Sequence, residues 1–213
     1  MLFSPQNEEE AIVAFHTKFG TMKAKLYNAT PKHRDNFLKL VEKGFFDSTS
    51  FHRVIEGFMI QGGDPLTKKE DPDKKIGQGG PGYTIEAEIR DSLFHRKGAL
   101  AAARKGDKQN PERRSSGSQF YIVDGRRYGE SSLDKLEKRK KKRLGNDFAF
   151  SQEQVEAYKK EGGTPKLDGA YTVFGQVFEG KSVIDSIAAV PVQSSNDRPV
   201  TPVRMEVEIL QRP

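Results

Sequence analysis

The chain of 213 residues contains no cysteine. It therefore has no disulfide framework, no thiol nucleophile and no thiolate metal site, and its composition suits an oxidising or a reducing compartment equally well. Long hydrophobic runs are also missing, because no apolar stretch approaches the roughly 20 residues that a membrane-spanning helix needs. We therefore expect no membrane-spanning helix.

The N-terminal stretch lacks the features of a secretory signal. Met1–Pro5 has no basic residue, and no long apolar segment follows it. We expect a cytoplasmic protein on the sequence as given. A trimmed leader would instead make the protein periplasmic or exported.

Positive charge is concentrated in one segment of the chain. The net charge is +6, whereas residues 131–144 hold seven basic and two acidic side chains, a net +5 that leaves +1 for the rest. The run Lys138–Arg143 could contact RNA or DNA phosphates. However, no aromatic residues are interleaved with it for base stacking, so a solvated charged helix is the simpler interpretation.

Most of the chain consists of short apolar or alternating segments that are separated by glycine and proline, a pattern typical of strands. Strands are predicted near residues 11–15, 22–27, 51–61, 117–123, 172–178 and 203–210. Helices are predicted from Thr30-Pro31 to Gly44, from Ser131 or Ser132 to about residue 144, over 151–160 and over Lys181–Ala189. The pattern alone indicates one strand-rich domain over residues 1–213.

Three further patterns could suggest a dinucleotide site, a serine hydrolase or a metal site, but the neighbouring residues argue against each. Gly77–Gly82 matches the letters G-x-G-x-x-G, but the strand-like Tyr83–Ile85 follows it, where a dinucleotide site requires the start of a helix. Ser118 lacks a nucleophile-elbow pattern, which argues against a serine hydrolase. The four histidines have no partners at ligand spacing, so we expect no metal site; they are His16, His33, His52 and His95.

The segment Phe51–Asp64 is dense in apolar residues but carries one arginine and one glutamine. If residues 53–61 are extended, alternation places Arg53, Met59 and Gln61 on one face. Gly57 would allow a bend or bulge that brings Phe58 to the same surface. The structural alternative is a core strand whose arginine extends towards solvent.

The sequence of this segment, FHRVIEGFMIQGGD, resembles the signature of the cyclophilin-type peptidyl-prolyl isomerases. GSQFYI at 117–122 and LDGAYTVFGQVFEG at 167–180 are similar to further segments of that family. The resemblance extends from about Ile12 to Leu210, apart from an insertion near 125–163. It implies a mainly β fold, a closed eight-stranded antiparallel β-barrel capped by two α-helices, to which this chain adds a helical insertion.

The resemblance also implies an activity, the cis–trans isomerisation of X-Pro bonds in peptides and unfolded protein clients. The barrier to this rotation is roughly 18–20 kcal/mol, because the C–N bond has partial double-bond character. No bond breaks, so the reaction needs an apolar seat for the proline ring and a hydrogen-bond donor to the twisted amide. We expect a monomer that uses no metal and no cofactor.

By the same resemblance, each site residue receives a role. Arg53 would be the donor, and Gln61 would hold the substrate backbone and orient Arg53. The proline pocket would be lined by Phe58, Met59, Tyr121 and Leu167. The peptide would be contacted by Gln119, by Tyr171 at one side, and by the backbone around Ala103 and Arg104.

Four positions depart from the common family pattern. Tyr171 stands where many members have histidine, Tyr121 where phenylalanine is common and Arg104 where asparagine is common. Lys166 replaces the tryptophan of the cyclosporin-sensitive members, which argues against tight cyclosporin binding. We also expect the insertion to be dispensable for turnover of short peptides. Besides nucleic-acid binding through Lys138–Arg143, a third possibility is a proline-binding module without significant turnover, against which the intact Arg53 and Gln61 argue.

Overall fold

The computed structural model describes residues 9–69, 75–145 and 147–213, so Met1–Pro5 lie outside the described residues. The strands are β1 Ala11–Thr17, β2 Gly20–Leu26, β3 Thr49–Phe51, β4 Arg53–Ile55, β5 Met59–Gly62, β6 Thr84–Ile85, β7 Ala99–Ala102, β8 Ser115–Ser116, β9 Phe120–Val123, β10 Val173–Glu179 and β11 Val203–Gln211. The helices are α1 Pro31–Glu42, α2 Glu130–Leu144, α3 Gln152–Lys160 and α4 Lys181–Ala188, with 3-10 turns at Pro65–Lys68 and Pro165–Leu167.

One antiparallel sheet returns on itself to form a barrel. Its strand order is β3-β11-β1-β2-β10-β7-β9-β5-β4. The two outermost strands, β3 and β4, are separated along the chain only by His52, whose backbone N–H donates to the Gln61 carbonyl at 2.9 Å. Counted as one bent strand, they close the sheet with eight strands, which confirms the predicted barrel.

The central strands are buried on both faces because their side chains alternate between two separate cores. Ile60, Leu100 and Ile122 point into the barrel, where they join the larger core. Their neighbours Met59 and Tyr121 point outwards into a smaller cluster on the opposite face of the same strands. The candidate site described below is built on this outer face.

Helices α1 and α4 contribute apolar residues to the barrel core. On α1, Phe37 lies 4.8 Å from the ring of Phe46 and 5.6 Å from that of Phe120, measured between ring centroids. On α4, Ile184 and Ile187 are fully buried. These two helices agree with the two caps that the family resemblance implied.

The helix ends differ from the predictions in two places. Thr30 precedes α1 as expected, but its hydroxyl donates to the Tyr27 carbonyl, and Glu88 accepts the free N–H groups of Lys32 and His33 instead. Helix α2 starts after Gly129 rather than at a serine cap, and no side-chain hydrogen bond caps its first turn. The serine-cap prediction for α2 was therefore wrong.

The remaining helix predictions are confirmed. Helix α3, which was predicted over 151–160, begins with a capping box, in which Ser151 and Gln154 satisfy each other's backbone N–H groups. Gly44 follows α1 with φ 60°, a left-handed conformation suited to glycine. None of the described helices is both long and apolar enough to cross a membrane.

Burial of His52 at the barrel seam makes stability depend on pH. The side chain is 7% exposed, and burial lowers its pKa from 6.5 to about 4. Between these values the unfolded chain binds more protons, so the free energy of unfolding falls as the pH drops from about 6.5 to 4, by up to about 3 kcal/mol. We expect His52→Gln to flatten this part of the curve in urea unfolding at a series of pH values, and equal slopes for both proteins would contradict the assignment.

Candidate active site

The β4–β5 hairpin brings the predicted arginine and glutamine together. Arg53 pairs directly with Gln61, and Ile55 pairs with Met59, so all four side chains share the outer face. The prediction of one extended run was wrong, because the chain reverses between the two strands. Gly57 makes the reversal possible with φ 70°, and its N–H donates to the Asp124 carboxylate at 2.7 Å.

Strand register places Tyr121 beside this pair. On β9, Tyr121 lies opposite Gln61 of β5 and opposite Ala101 of β7. The small Ala101 leaves room on the outer face, where the Tyr121 ring is almost fully buried. Burial raises the pKa of the Tyr121 hydroxyl well above its ordinary value, so this side chain stays neutral.

The far wall of the site comes from the turn after the second 3-10 element. The Ala170 N–H donates to the Leu167 carbonyl, and Gly169 has φ 71°, so Leu167–Ala170 form a tight turn. The turn presents Leu167 and then Tyr171, whose ring meets that of Tyr121 edge-on at 6.0 Å.

These elements enclose a small pocket of about 130 Å³. Nine of the ten predicted site residues line it: Arg53, Phe58, Met59, Gln61, Ala103, Arg104, Tyr121, Leu167 and Tyr171. Six of the nine are aromatic or aliphatic, whereas Arg53, Arg104 and Gln61 contribute two guanidinium groups and an amide. The volume suits one apolar ring rather than a drug-sized ligand, which occupies roughly 300–1,000 Å³.

Gln119, the tenth predicted residue, lies beside the pocket in an adjoining groove of about 790 Å³. It accepts a hydrogen bond from Gln61 Nε2 at 3.2 Å and donates to the Gly79 carbonyl at 2.7 Å. The loop Gly77–Gly82 forms much of the groove wall and leads into strand β6 rather than a helix. The groove is open and polar, as an extended peptide backbone requires.

The guanidinium of Arg53 is accessible from solvent. Its side chain is 43% exposed, and Nε lies 3.4 Å from Asp197 Oδ2. Asp197 also accepts the Val54 N–H with its carbonyl oxygen, so the loop that carries it is fastened to strand β4. Sequence reasoning missed Asp197, because no local pattern links a distant loop to this arginine.

The side chain of Arg104 has a larger role than expected. A mainly backbone role was predicted at this position, but Nε donates to the Ala170 carbonyl at 2.9 Å and Nη1 pairs with Asp107 at 2.7 Å. The guanidinium carbon lies 4.4 Å from the centre of the Tyr171 ring. Arg104 therefore holds Tyr171 against the pocket. Lys166 is exposed on the 3-10 turn.

A buried histidine, also missed from the sequence, lies behind the pocket. The Tyr121 hydroxyl is 2.9 Å from His95 Nε2, and His95 Nδ1 is 2.8 Å from Asp168 Oδ1. The hydroxyl that distinguishes Tyr121 from the common phenylalanine thus has a partner inside the protein. In the part of the chain that the structure describes, no group of three histidine or acidic side chains is placed to hold a metal ion.

The basic run of α2 does not form a uniform patch. Lys140 is buried, and the side chain of Arg143 lies outside the described residues. The exposed cations occupy one helix face at i, i+3, i+4 and i+7: Lys135, Lys138, Arg139 and Lys142. Contact with nucleic acid through this face stays a prediction.

Comparison with known proteins agrees with this geometry. The family model "Cyclophilin type peptidyl-prolyl cis-trans isomerase/CLD" matches residues 12–208. A Staphylococcus epidermidis protein named "Putative peptidyl-prolyl cis-trans isomerase" is 37% identical over 203 residues, which cover 93% of this chain and 91% of the relative. A Staphylococcus aureus protein of the same name is 36% identical over 201 residues, with 92% and 90% covered.

Solved structures show the same relationship. The crystal structure of a cyclophilin type peptidyl-prolyl cis-trans isomerase from Cryptosporidium parvum has a TM-score of 0.69 at 26% identity, covering 96% of this chain and 100% of that chain. The same protein in the presence of the dipeptide Ala-Pro has a TM-score of 0.67 at 25% identity, with 94% and 99% covered. The chain described here belongs to the cyclophilin-type peptidyl-prolyl cis-trans isomerase family.

Proposed function

We propose that this isomerase seats the proline ring of its substrate in the 130 Å³ pocket and that Arg53 assists rotation of the X-Pro bond. The observation that carries the proposal is the placement of Arg53 on the same small pocket as Met59, Tyr121 and Leu167. A cationic hydrogen-bond donor and an apolar wall in one pocket match the two needs of the reaction, a donor to the twisted amide and a seat for the proline ring.

Arg53 is suited to the electrostatic part of the mechanism. As the amide twists, its nitrogen regains a lone pair, which can accept a hydrogen bond that the planar ground state cannot. A guanidinium remains charged at any working pH and presents several donors in a rigid plane. A donor that interacts only with the twisted form lowers the barrier more than it tightens substrate binding. Asp197, at 3.4 Å, limits the positions that the Arg53 head can adopt.

The groove next to the pocket is proposed to hold the peptide on one side of the proline. Gln61 lines both spaces and is bonded to Gln119, so its amide is fixed where pocket and groove meet. Ala103 also lines both, and its N–H and carbonyl are already bonded to Gln119 and Ser116. The side chains of Gln61 and Gln119, rather than the Ala103 backbone, are therefore the polar groups that we assign to peptide binding.

We propose unfolded protein chains as clients, since an accessible pocket and an open groove need a substrate that can present an extended X-Pro segment. Addition of the protein is expected to accelerate the slow refolding phase of a test protein limited by proline isomerisation, which without catalyst takes about 10–100 s. The control is the fast refolding phase of the same protein, which should not change. If the protein accelerates isomerisation of short peptides but not refolding, its function is restricted to peptides. If it binds proline-containing chains but accelerates neither process, it is a proline-binding module.

A further inference from the structure

A chain of buried hydrogen bonds connects the proline pocket to the helical insertion. It runs from the Tyr121 hydroxyl to His95 Nε2 at 2.9 Å, from His95 Nδ1 to Asp168 Oδ1 at 2.8 Å, and from the Tyr158 hydroxyl to Asp168 Oδ2 at 2.6 Å. All four residues are at most 4% exposed. Tyr121 lines the pocket, whereas Tyr158 belongs to helix α3 of the insertion.

The direction of each bond follows from the donors and acceptors present. An ionised Asp168 can only accept, so the Tyr158 hydroxyl donates to Oδ2, and both the backbone N–H and Nδ1 of His95 donate to Oδ1. In the tautomer that carries its proton on Nδ1, His95 Nε2 is an acceptor, and it accepts from the Tyr121 hydroxyl. The orientation of the Tyr121 hydroxyl is thus set by groups outside the pocket.

Helix α2 holds the same aspartate from another side. Lys140 Nζ donates to the Asp168 carbonyl at 2.5 Å, although lysine is seldom buried, and its Nζ also lies 5.2 Å from the centre of the Phe148 ring. Asp168 directly follows Leu167, which forms the far wall of the pocket. The two insertion helices therefore hold Asp168 by hydrogen bonds, α2 through its main-chain carbonyl and α3 through its carboxylate.

The insertion has an apolar core of its own that keeps Tyr158 in place. The Tyr158 ring packs edge-on against the rings of Phe94 and Phe150, at 5.6 and 6.0 Å. Tyr128 joins the same cluster at 6.3 Å, but among the described residues no hydrogen bond connects its hydroxyl to Asp168. Tyr128 therefore provides a matched control for the loss of a tyrosine hydroxyl in this cluster.

We propose that the insertion positions the proline pocket, with Tyr158 acting on Tyr121 through Asp168 and His95, and with Lys140 holding the turn that carries Leu167. Tyr158, Asp168, His95 and Lys140 are positioning residues, since none of them lines the pocket. The inference rests on the proposed role of the pocket as the proline seat. It leads to the opposite of the sequence-based expectation that the insertion is dispensable for turnover of short peptides.

The test is a double-mutant cycle in a proline-peptide isomerisation assay. Tyr158→Phe is expected to lower kcat/KM about fivefold, the effect of losing one hydrogen bond, whereas Tyr128→Phe is expected to leave it within about twofold of wild type. In a Tyr121→Phe background the pocket is already uncoupled from His95, so Tyr158→Phe is expected to change kcat/KM by less than about twofold. A role limited to stability predicts instead the same fold-change in both backgrounds.

The His95 ring proton and a Lys140 variant provide two further tests of the proposal. The NMR resonance of the His95 Nδ1 proton should shift in Tyr158→Phe and stay in place in Tyr128→Phe. Should Tyr158→Phe fail to fold, Lys140→Met removes the second hydrogen bond from the insertion to Asp168, and it is expected to lower kcat/KM about fivefold. Additive effects in the cycle, or Lys140→Met with wild-type kcat/KM, would overturn the proposal while the wild-type activity still supports the proposed function.

Discussion

Replacing Arg53 with alanine is expected to lower kcat/KM for a proline-containing peptide at least tenfold while the barrel remains folded. The expected loss is large because one preorganised donor to a developing lone pair is typically worth about 10²–10³ in rate. The effect on folding should be small, because the side chain is 43% exposed and its partner Asp197 is also on the surface. A protease-coupled peptide assay gives the rate, and circular dichroism with thermal unfolding checks the fold.

Two further variants separate the role of Arg53 from a general loss of positive charge. Arg53→Lys keeps the charge but not the planar group of donors, so we expect activity between wild type and Arg53→Ala. Arg212→Ala removes a surface arginine that pairs with Glu42 and should have wild-type kcat/KM. Full turnover by the Arg53→Ala protein would show that Arg53 takes no part in the mechanism.

Replacing Asp64 with alanine is expected to destabilise the protein by about 3 kcal/mol or more and to lower activity as well. Asp64 is completely buried, and its carboxylate accepts the N–H groups of Leu66, Gly77 and Gly79 at 2.8, 2.5 and 3.1 Å. Hydrogen bonds to a charged group contribute roughly 1.5–3 kcal/mol each, and three donors would lose their partner together. For a chain of this length the melting temperature should fall by about 6–12 °C.

The expected loss of activity follows from what the Asp64 loop carries. The Gly79 carbonyl accepts the hydrogen bond from Gln119, which in turn holds Gln61 at the edge of the pocket. Asp64→Ala should therefore lower kcat/KM even below the melting transition, and Asp64→Asn should have a milder effect because its amide oxygen can still accept. Asp91→Ala, at an exposed position, is the control. An Asp64→Ala protein with wild-type stability would show that the glycine loop is held by other contacts.

Local patterns in the sequence placed Arg53, Met59 and Gln61 on one face, whereas the other site residues came from the family resemblance. The apolar alternation around Arg53 and Gln61 requires a common face whether the segment is one strand or a hairpin, because both arrangements preserve the period of two. The reversal at Gly57 was not predicted, since a three-residue turn between two short strands leaves the same alternation as a continuous strand. The family resemblance supplied the roles that periodicity alone could not.

Contacts between distant segments were beyond sequence reasoning. Glu88 replaces Thr30 as the cap of α1 because the barrel brings its carboxylate to the helix end, and no motif at either position indicates this pairing. The same applies to His95 and Asp168, because the sequence shows His95 only as one of four scattered histidines and Asp168 only as part of the segment LDGAYTVFGQVFEG. The pairing of His95 with Asp168 becomes apparent only in the structure, where their hydrogen bonds place both residues behind Tyr121.

The central claim is that this pocket accelerates rotation about an X-Pro bond. NMR exchange spectroscopy on a peptide containing Ala-Pro, with a small molar fraction of protein added, measures that rotation without a coupling enzyme. We predict exchange between the cis and trans resonances much faster than the uncatalysed 10–100 s, and loss of that acceleration in Arg53→Ala. Exchange at the uncatalysed rate in the presence of the folded wild-type protein would contradict the claim.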